Sequence, residues 1–224
     1  MQTSSTLQAD FDQIALLSGD GWDHNAHYHQ YLLRHVPAHC EAALDVGCGL
    51  GTFSRLLARR AGHVVALDLS PRMIELAKER SKQYPNIQYQ VADAMQWGTG
   101  GERFDYVVSI AMLHHVGAEE LLSRMAGLLK GGGTLAILDL YASSGLTDVL
   151  RGMVALPASL VLRLIKTGRL RPRPEVRAAW AEHGCHDTYP TVAEVRRVCE
   201  RVLPGASVRQ HLLFRYSIIW RKPA

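Results

Sequence analysis

Short apolar runs alternate with helical patterns between residues 42 and 140 of the 224-residue chain. Each run is mostly apolar and only a few residues long, which is typical of parallel strands buried on both faces. The predicted strands are Ala42–Val46, His63–Ser70, Ile87–Val91, Phe104–Ile110 and Thr134–Leu140. Apolar residues between the runs recur at helical spacing. This alternation of strand and helix predicts an open α/β fold around a parallel sheet.

The pattern also predicts how the later elements connect. A helix over 119–129 is followed by Lys130–Gly133, which we expect to be the turn before the fifth strand. A last helix is predicted over Val192–Val202. Residues 207–221 are rich in β-branched and aromatic side chains and predict a closing antiparallel hairpin, whose turn the pattern does not locate.

Residues 145–165 form an apolar run that Arg151, Pro157 and Arg163 interrupt. These interruptions make the run unsuited to spanning a bilayer. We therefore expect helices that form a lid over an apolar substrate pocket. A helix lying on a membrane surface is the alternative.

The composition is that of one ordinary globular domain, with 47% hydrophobic and 21% charged residues. We expect an N-terminal helical cover over 1–39, a core over 40–141, a helical lid insertion over 142–190, and the last helix with the closing hairpin over 191–224. The four cysteines have no zinc-type spacing, and the first residues lack a signal-peptide pattern. Both observations favour a cytoplasmic location.

The charge of the chain is concentrated in one stretch. Residues 145–180 carry seven basic and two acidic side chains, although the whole chain has a formal net charge of only +4. A solvated basic surface on the lid is the first interpretation. Contact with an anionic substrate or membrane surface is the alternative.

Glycines follow the first predicted strand at alternate positions, Gly47, Gly49 and Gly51. Such a loop allows a sharp turn into a helix and close approach of a ligand. The third glycine comes one residue earlier than in dinucleotide-binding loops. Asp45 lies two residues before the first glycine, where it would repel a pyrophosphate but could accept a hydrogen bond from an ammonium group.

Acidic residues also end the second and third predicted strands. Asp68 is positioned to bind both hydroxyls of a ribose. Asp93 could accept the exocyclic amine of adenine while the backbone N–H of Ala94 serves a ring nitrogen, or Asp93 could simply cap a helix. Because the carboxyl ends of parallel strands meet at one edge, we expect these groups to converge on one crevice.

Together these motifs resemble those of class I S-adenosylmethionine (SAM)-dependent methyltransferases. The matching segments are Leu44–Gly51, Asp68–Ser70, Val91–Ala94, Phe104–Ser109 with Leu113–His115, and Leu128–Leu135. The last segment has Gly131 where the family usually has proline. The resemblance covers about residues 40–141.

The resemblance implies a Rossmann-like, doubly wound, mostly parallel seven-stranded sheet with an antiparallel C-terminal hairpin. It also implies SAM as cofactor, S-adenosylhomocysteine (SAH) as product and methyl transfer to a small molecule, most readily at oxygen. The implied cofactor-binding residues are Asp45, Gly47, Gly49, Gly51, Asp68, Leu69, Asp93, Ala94 and Ser109.

His114 is the best candidate for a general base, because it follows the fourth strand directly. Asp139 ends the fifth strand, which is adjacent to the fourth in this fold, so the two side chains could form a His–Asp pair. His115 is the second candidate. Packing at a helix start or contact with the cofactor is the alternative use of these histidines.

Polar and aromatic residues cluster in two further segments that we expect to cover the substrate. The candidate substrate-binding residues are Trp22, His24, Asn25, Tyr28, His29 and His186. A surface helix with incidental histidines is the alternative for the first segment. No cysteine or carboxylate completes a zinc ligand set there, so no metal is expected.

The acceptor is inferred mainly from missing motifs. The Asn-Pro-Pro-aromatic tetrad of many base- and glutamine-methylating relatives is replaced by Ser109–Met112, and no basic nucleic-acid-binding module is present. We expect a small, partly apolar acceptor and no nucleic acid, with peripheral membrane contact left open. The alternatives are an NAD(P)-dependent oxidoreductase, which the glycine spacing and the lack of a Tyr-x-x-x-Lys pair disfavour, and a non-catalytic SAM-binding partner protein.

Overall fold

The computed structural model describes residues 4–17, 22–98, 101–184 and 187–224. Seven strands form one sheet in the order β3-β2-β1-β4-β5-β7-β6. The strands are β1 (Ala42–Val46), β2 (His63–Asp68), β3 (Ile87–Val91), β4 (Phe104–Ile110), β5 (Leu129–Leu140), β6 (Ser207–His211) and β7 (Arg215–Arg221). The first five are parallel, and β7 is antiparallel to both of its neighbours, as predicted for a closing hairpin.

Eight α-helices accompany the sheet in the described residues. They are α1 (Ser4–Leu17), α2 (His29–Leu33), α3 (Thr52–Leu57), α4 (Pro71–Arg80), α5 (Ala118–Gly127), α6 (Leu146–Thr167), α7 (Pro174–Gly184) and α8 (Val192–Val202). Short 3₁₀ turns at Ala26–Tyr28 and Leu113–His115 precede α2 and α5.

Apolar layers cover both faces of the sheet because successive strand residues point to opposite sides. Leu44 packs with the apolar faces of α5 and α8. Its neighbour Ala43 packs with residues of α2 and α3 on the other face. Both residues are fully buried. This two-sided burial confirms the doubly wound α/β architecture and leaves the carboxyl ends of the strands as the place for a ligand.

Two connections differ from the sequence prediction. The glycines expected in a turn before the fifth strand lie inside β5, which begins at Leu129. The pairing with β4 shifts register there, between Phe104 and Tyr106. The glycines themselves favour a turn, which is why the sequence predicted one. In the structure this segment instead stays paired with β4 through a bulge. The β6–β7 turn bends at Leu213 and Phe214, whose φ angles are +60° and +57°.

Helix α6 is one continuous helix of 22 residues that passes through Pro157. The expected burial of its apolar run over a pocket is wrong for most of its side chains. Ten of them are exposed, namely Leu146, Val149, Leu150, Met153, Val154, Leu156, Leu160, Val161, Leu164 and Ile165. These side chains are spread around the helix, so packing one face of it against the domain cannot bury them all. Within the described residues, every helix is too short or too polar to cross a membrane.

Candidate active site

A cavity of about 840 Å³ lies beyond the carboxyl ends of the parallel strands. Asp45, Asp68 and Asp93 all line it, although they are far apart in the sequence. The structure thus brings the predicted strand-end carboxylates together along one crevice. Helices α1, α6 and α7 contribute the opposite wall.

The glycine loop bends at the end of β1 and bonds to the next strand. The backbone N–H groups of Gly47 and Cys48 donate to the Leu67 carbonyl at 2.9 and 2.8 Å. All three glycines have positive φ angles, between +51° and +73°. A Cβ on Gly51 would lie 2.2 Å from the Tyr89 hydroxyl, whereas the space above Gly49 is open. Gly51 is therefore needed for packing and Gly49 leaves room for a ligand.

Asp68 holds the glycine loop as well as the end of β2. Its carboxylate accepts hydrogen bonds from the Gly49 N–H at 2.8 Å and the Ser70 N–H at 2.9 Å. Each carboxylate oxygen has a further lone pair, so two hydroxyls could still bind. Leu69 also lines the cavity. The sequence indicated a ligand-binding role for Asp68 but not this support of the loop.

Asp45 is a buried carboxyl group at the floor of the cavity. The Ser54 hydroxyl donates to it at 2.6 Å. Burial raises the pKa of Asp45 to about 7, because the low-dielectric surroundings disfavour the charged form.

If the ammonium group of SAM binds beside Asp45, as the resemblance implies, this raised pKa predicts that binding releases a proton. At pH 6.5 the Asp45 carboxyl is mostly protonated, and a bound ammonium group would favour the carboxylate. SAM affinity should therefore increase as the pH rises from 6 to 7. Calorimetric titrations at pH 6.5 in two buffers of different ionisation enthalpy measure the released proton. Asp45→Asn should remove the difference between the buffers, and equal heats for the unmodified chain would contradict the prediction.

Asp93 caps the turn after β3, which is the alternative role given above. Its carboxylate accepts from the Met95 N–H at 2.9 Å and from the Gln96 side-chain amide at 3.3 Å. Arg124 donates to the carbonyl of Ala94 at 2.8 Å and fixes this turn. Asp93 and Ala94 both line the cavity, so capping and ligand contact are compatible.

His114 and Asp139 form the predicted pair. His114 Nδ1 lies 2.6 Å from Asp139 Oδ1, and the His114 backbone N–H donates to Asp139 Oδ2 at 3.2 Å. Asp139 is fully buried, so it reaches the cavity only through His114. The pairing occupies Nδ1, while Nε2 lies 3.7 Å from Asp187 Oδ2.

A carboxylate that the sequence analysis missed lies beside these histidines. Asp187 Oδ1 is 3.1 Å from His115 Nδ1, and Asp187 Oδ2 is 3.7 Å from His114 Nε2. The Tyr189 hydroxyl donates to Asp187 at 3.1 Å. Burial lowers the pKa of His115 to about 4 and raises that of Tyr189 to about 12. His186, the predicted substrate-binding residue of this segment, lies outside the described residues. Its neighbours Asp187 and Tyr189 line the cavity.

Most of the predicted cover residues reach the cavity. Trp22, His24, Asn25 and His29 line it, and Asn25 accepts a hydrogen bond from Arg215 at 2.7 Å. Tyr28 does not line it, because its hydroxyl donates to the Leu212 carbonyl and its ring packs on His211.

Ser109 also lies away from the cavity. Its side chain is buried in the sheet, where the hydroxyl has no hydrogen-bond partner among the described residues. The three residues that follow line the cavity instead, because the chain turns at Ala111, whose φ is +54°. A non-glycine residue in this conformation is a strained feature of the kind found at functional sites.

The first helix forms part of the wall. Phe11 lies with its ring centroid 5.6 Å from that of His115 and 4.9 Å from that of His183. One residue further, Asp12 accepts a hydrogen bond from the Ser70 hydroxyl. Helix α1 therefore forms part of the cavity wall.

Five of the seven basic residues in the 145–180 stretch line the cavity. They are Arg163, Arg169, Arg171, Arg173 and Arg177. The buried Arg215, which the sequence analysis did not single out, adds a further positive charge. Four of the five arginines in the stretch, all but Arg163, are also exposed, so the stretch borders the cavity and forms a solvated basic surface at the same time; its charge favours an anionic group there.

Comparison with known proteins agrees with this geometry. A family model described as a methyltransferase domain matches residues 43–133. The uncharacterized methyltransferase Rv0089 of Mycobacterium tuberculosis is 33% identical over 206 residues, which are 90% of this chain and 98% of that protein. A ubiquinone biosynthesis O-methyltransferase of Coxiella burnetii is 32% identical over 108 residues, covering 47% of this chain and 46% of that protein.

The fold also matches a solved methyltransferase structure. The N-methyltransferase NodS of Bradyrhizobium japonicum WM9, in complex with SAH, has a TM-score of 0.63 at 18% identity, covering 96% of this chain and 99% of that one. Such identity shows the shared fold. The sequence relatives place the chain among enzymes that transfer methyl groups, and not among the oxidoreductases or non-catalytic binders considered above. The chain belongs to the class I SAM-dependent methyltransferases, and SAM is its cofactor.

Proposed function

We propose that this enzyme transfers the methyl group of SAM to an oxygen atom of a small acceptor with an apolar body and an acidic group. The observation that carries the proposal is the His114–Asp139 pair, which faces the same cavity as the strand-end carboxylates. A hydroxyl must lose its proton to become a good nucleophile, and this pair can take it. We assign the reaction to the cytoplasm, since the three described cysteines are free thiols.

The carboxylates hold the cofactor in this proposal. Asp68 binds the ribose hydroxyls, Asp93 binds the adenine amine, and Asp45 accepts from the ammonium group of the methionine part. The open space above Gly49 admits the cofactor to the backbone of the loop. Methyl transfer would then require the sulfonium to face the half of the cavity that contains His114.

The acceptor half combines apolar and cationic surfaces. Phe11, Met112 and Trp180 line the cavity together with the arginines described above. Apolar side chains favour the body of an organic acceptor, and arginine binds a carboxylate or phosphate through its planar fork. The partial likeness to an O-methyltransferase supports transfer to oxygen.

Methyl transfer is an in-line displacement at carbon. Bound SAM would supply a methyl group on a positive sulfonium, so that the O–CH₃ bond would form as the S–CH₃ bond breaks and SAH would leave as a neutral thioether. Catalysis then depends mainly on alignment of the two reactants, which can supply about 7–11 kcal/mol in favourable cases. His114 Nε2 takes the acceptor proton, while Asp139 orients the ring and stabilises the imidazolium.

Matched acceptors test this function. Aromatic compounds that share one ring and one carboxylate but carry hydroxyl, amino or methyl groups are incubated with methyl-labelled SAM, and the products are identified by mass spectrometry. We expect label on the hydroxyl compound, and weaker labelling when its carboxylate is removed. Labelling confined to nitrogen or carbon would overturn the assignment to oxygen.

A further inference from the structure

We propose that His114, His115 and Asp187 form a site for a divalent transition metal in the acceptor half of the cavity, and that His183, beside Asp187, joins them after a side-chain adjustment. One ligand atom from each of the first three residues lies within 4.8 Å of the others. All four residues line the cavity. Their side chains are at most 4% exposed.

The distances fit a single small cation. Ligand bonds of roughly 2.0–2.2 Å in a tetrahedral site put neighbouring ligand atoms roughly 3.3–3.6 Å apart. The nitrogens of His115, His114 and His183 lie 3.1, 3.7 and 3.8 Å from Asp187 oxygens. Small side-chain adjustments would therefore close the site around a metal.

Two further carboxylates orient the histidines as metal sites require. Asp139 lies 2.6 Å from His114 Nδ1, and Asp10 lies 3.2 Å from His183 Nδ1. In both residues the other nitrogen, Nε2, faces Asp187. Metal-ligating histidines commonly use their second nitrogen in this way, because a carboxylate fixes the tautomer and increases ligand basicity. Here the Asp139–His114 and Asp10–His183 pairs both lie next to Asp187.

An unpartnered buried nitrogen gives independent support. His183 Nε2 has no hydrogen-bond partner among the described residues, and its side chain is only 3% exposed. Leaving such a group unpaired is unfavourable, because it has lost its hydrogen bonds to water. A cation between His183 and Asp187 would satisfy the nitrogen and neutralise a buried carboxylate at the same time.

The ligand set selects the class of metal. Imidazole nitrogens with one carboxylate suit zinc or another first-row divalent ion, whereas magnesium and calcium prefer oxygen ligands. The cavity provides space for one more ligand, such as an acceptor oxygen. The role of the metal in the reaction rests on the proposed function. The cation would make a bound hydroxyl more acidic, with its proton passing to solvent. His114 Nε2 is then a ligand in the metal-bound enzyme and serves as the base in the metal-free enzyme.

Metal binding is tested without any methyl transfer. The full chain is treated with a chelator, desalted and titrated with zinc chloride by calorimetry, in the presence and absence of SAH, and with cobalt chloride by visible absorption. We expect one equivalent of zinc and an intense low-symmetry cobalt spectrum. A cobalt spectrum that stays that of the hydrated ion, with no stoichiometric zinc uptake, would overturn the site.

Loss of a group that only hydrogen-bonds a metal ligand weakens metal binding about 10–100-fold. Asp187→Asn alters a proposed ligand itself and should weaken zinc binding by at least that much. His115→Ala is a second variant in case the first fails to fold. His39→Gln, at an exposed histidine outside the cluster, should bind zinc like the unmodified chain. Equal zinc affinity in all these proteins would contradict the assignment.

The two proposals fail separately. Zinc uptake without transfer to any oxygen acceptor would overturn the proposed function and leave the metal site intact. Transfer to oxygen by the chelated protein, with no uptake of zinc, would overturn the metal site alone.

Discussion

Asp68→Ala is expected to abolish measurable binding of SAM and SAH. The substitution removes the acceptor for the Gly49 and Ser70 amides and the group proposed to bind the ribose hydroxyls. Two hydrogen bonds to a carboxylate, at about 1.5–3 kcal/mol each, correspond to a loss of at least about 100-fold in affinity. Isothermal titration with SAH measures this loss directly. Asp68→Asn should fall between the two proteins, because one side-chain oxygen remains.

Asp148→Asn provides the matched control for this experiment. Asp148 also accepts from a backbone amide, that of Ser144 at 2.8 Å, but its side chain lies at the start of α6 and is not part of the cavity lining. This variant should bind SAH normally. Intact SAH binding by a folded Asp68→Ala protein would show that the cofactor lies elsewhere.

Asp139→Asn should have the next largest effect, on turnover. The amide cannot stabilise an imidazolium at His114, and it would favour the wrong tautomer of that ring. Loss of general-base assistance lowers rates by about 10²–10⁴-fold. We expect kcat to decrease by at least about 100-fold for an oxygen acceptor, with little change in the KM for SAM. Steady-state kinetics with varied SAM separate the two parameters.

The matched control is Asp105→Asn. Asp105 accepts from the Glu41 and Ala42 amides at 2.9 and 3.0 Å, but it is not part of the cavity lining. Its loss should lower the melting temperature and leave kcat almost unchanged. A similar decrease in kcat for both variants would mean that Asp139 acts only through the stability of the fold.

The convergence of three strand-end carboxylates on one cavity could be predicted from the sequence because its information is local. Each of Asp45, Asp68 and Asp93 follows a recognisable strand, and parallel strands end at one edge. The alternation of side chains along a strand also explains why Ser109 does not line the cavity as predicted. Ser109 is still within β4 and is buried there, whereas the chain turns directly after the strand and brings Ala111 and Met112 to the cavity.

The acceptor half could not be predicted in this way because it is assembled by long-range packing. Asp187 follows α7, Asp10 is on α1, and His114 follows β4. No spacing in the sequence relates these three positions. The dense polar and aromatic residues between 180 and 190 were the available signal, but they did not distinguish Asp187 from His186. Exposed apolar side chains on α6 were expected only under the alternative, a helix lying on a membrane surface, since hydrophobicity alone does not reveal what a helix packs against.

Helix α1 touches both halves of the cavity, which has a consequence for the catalytic cycle. Asp12 bonds to Ser70 beside the proposed ribose site, and Asp10, two residues earlier, lies beside His183 in the acceptor half. A single displacement of this helix would therefore uncover both compartments together. We expect departure of spent cofactor and of methylated product to share one opening event, so that weakening the anchorage of α1 would speed exchange while exposing the reaction to water.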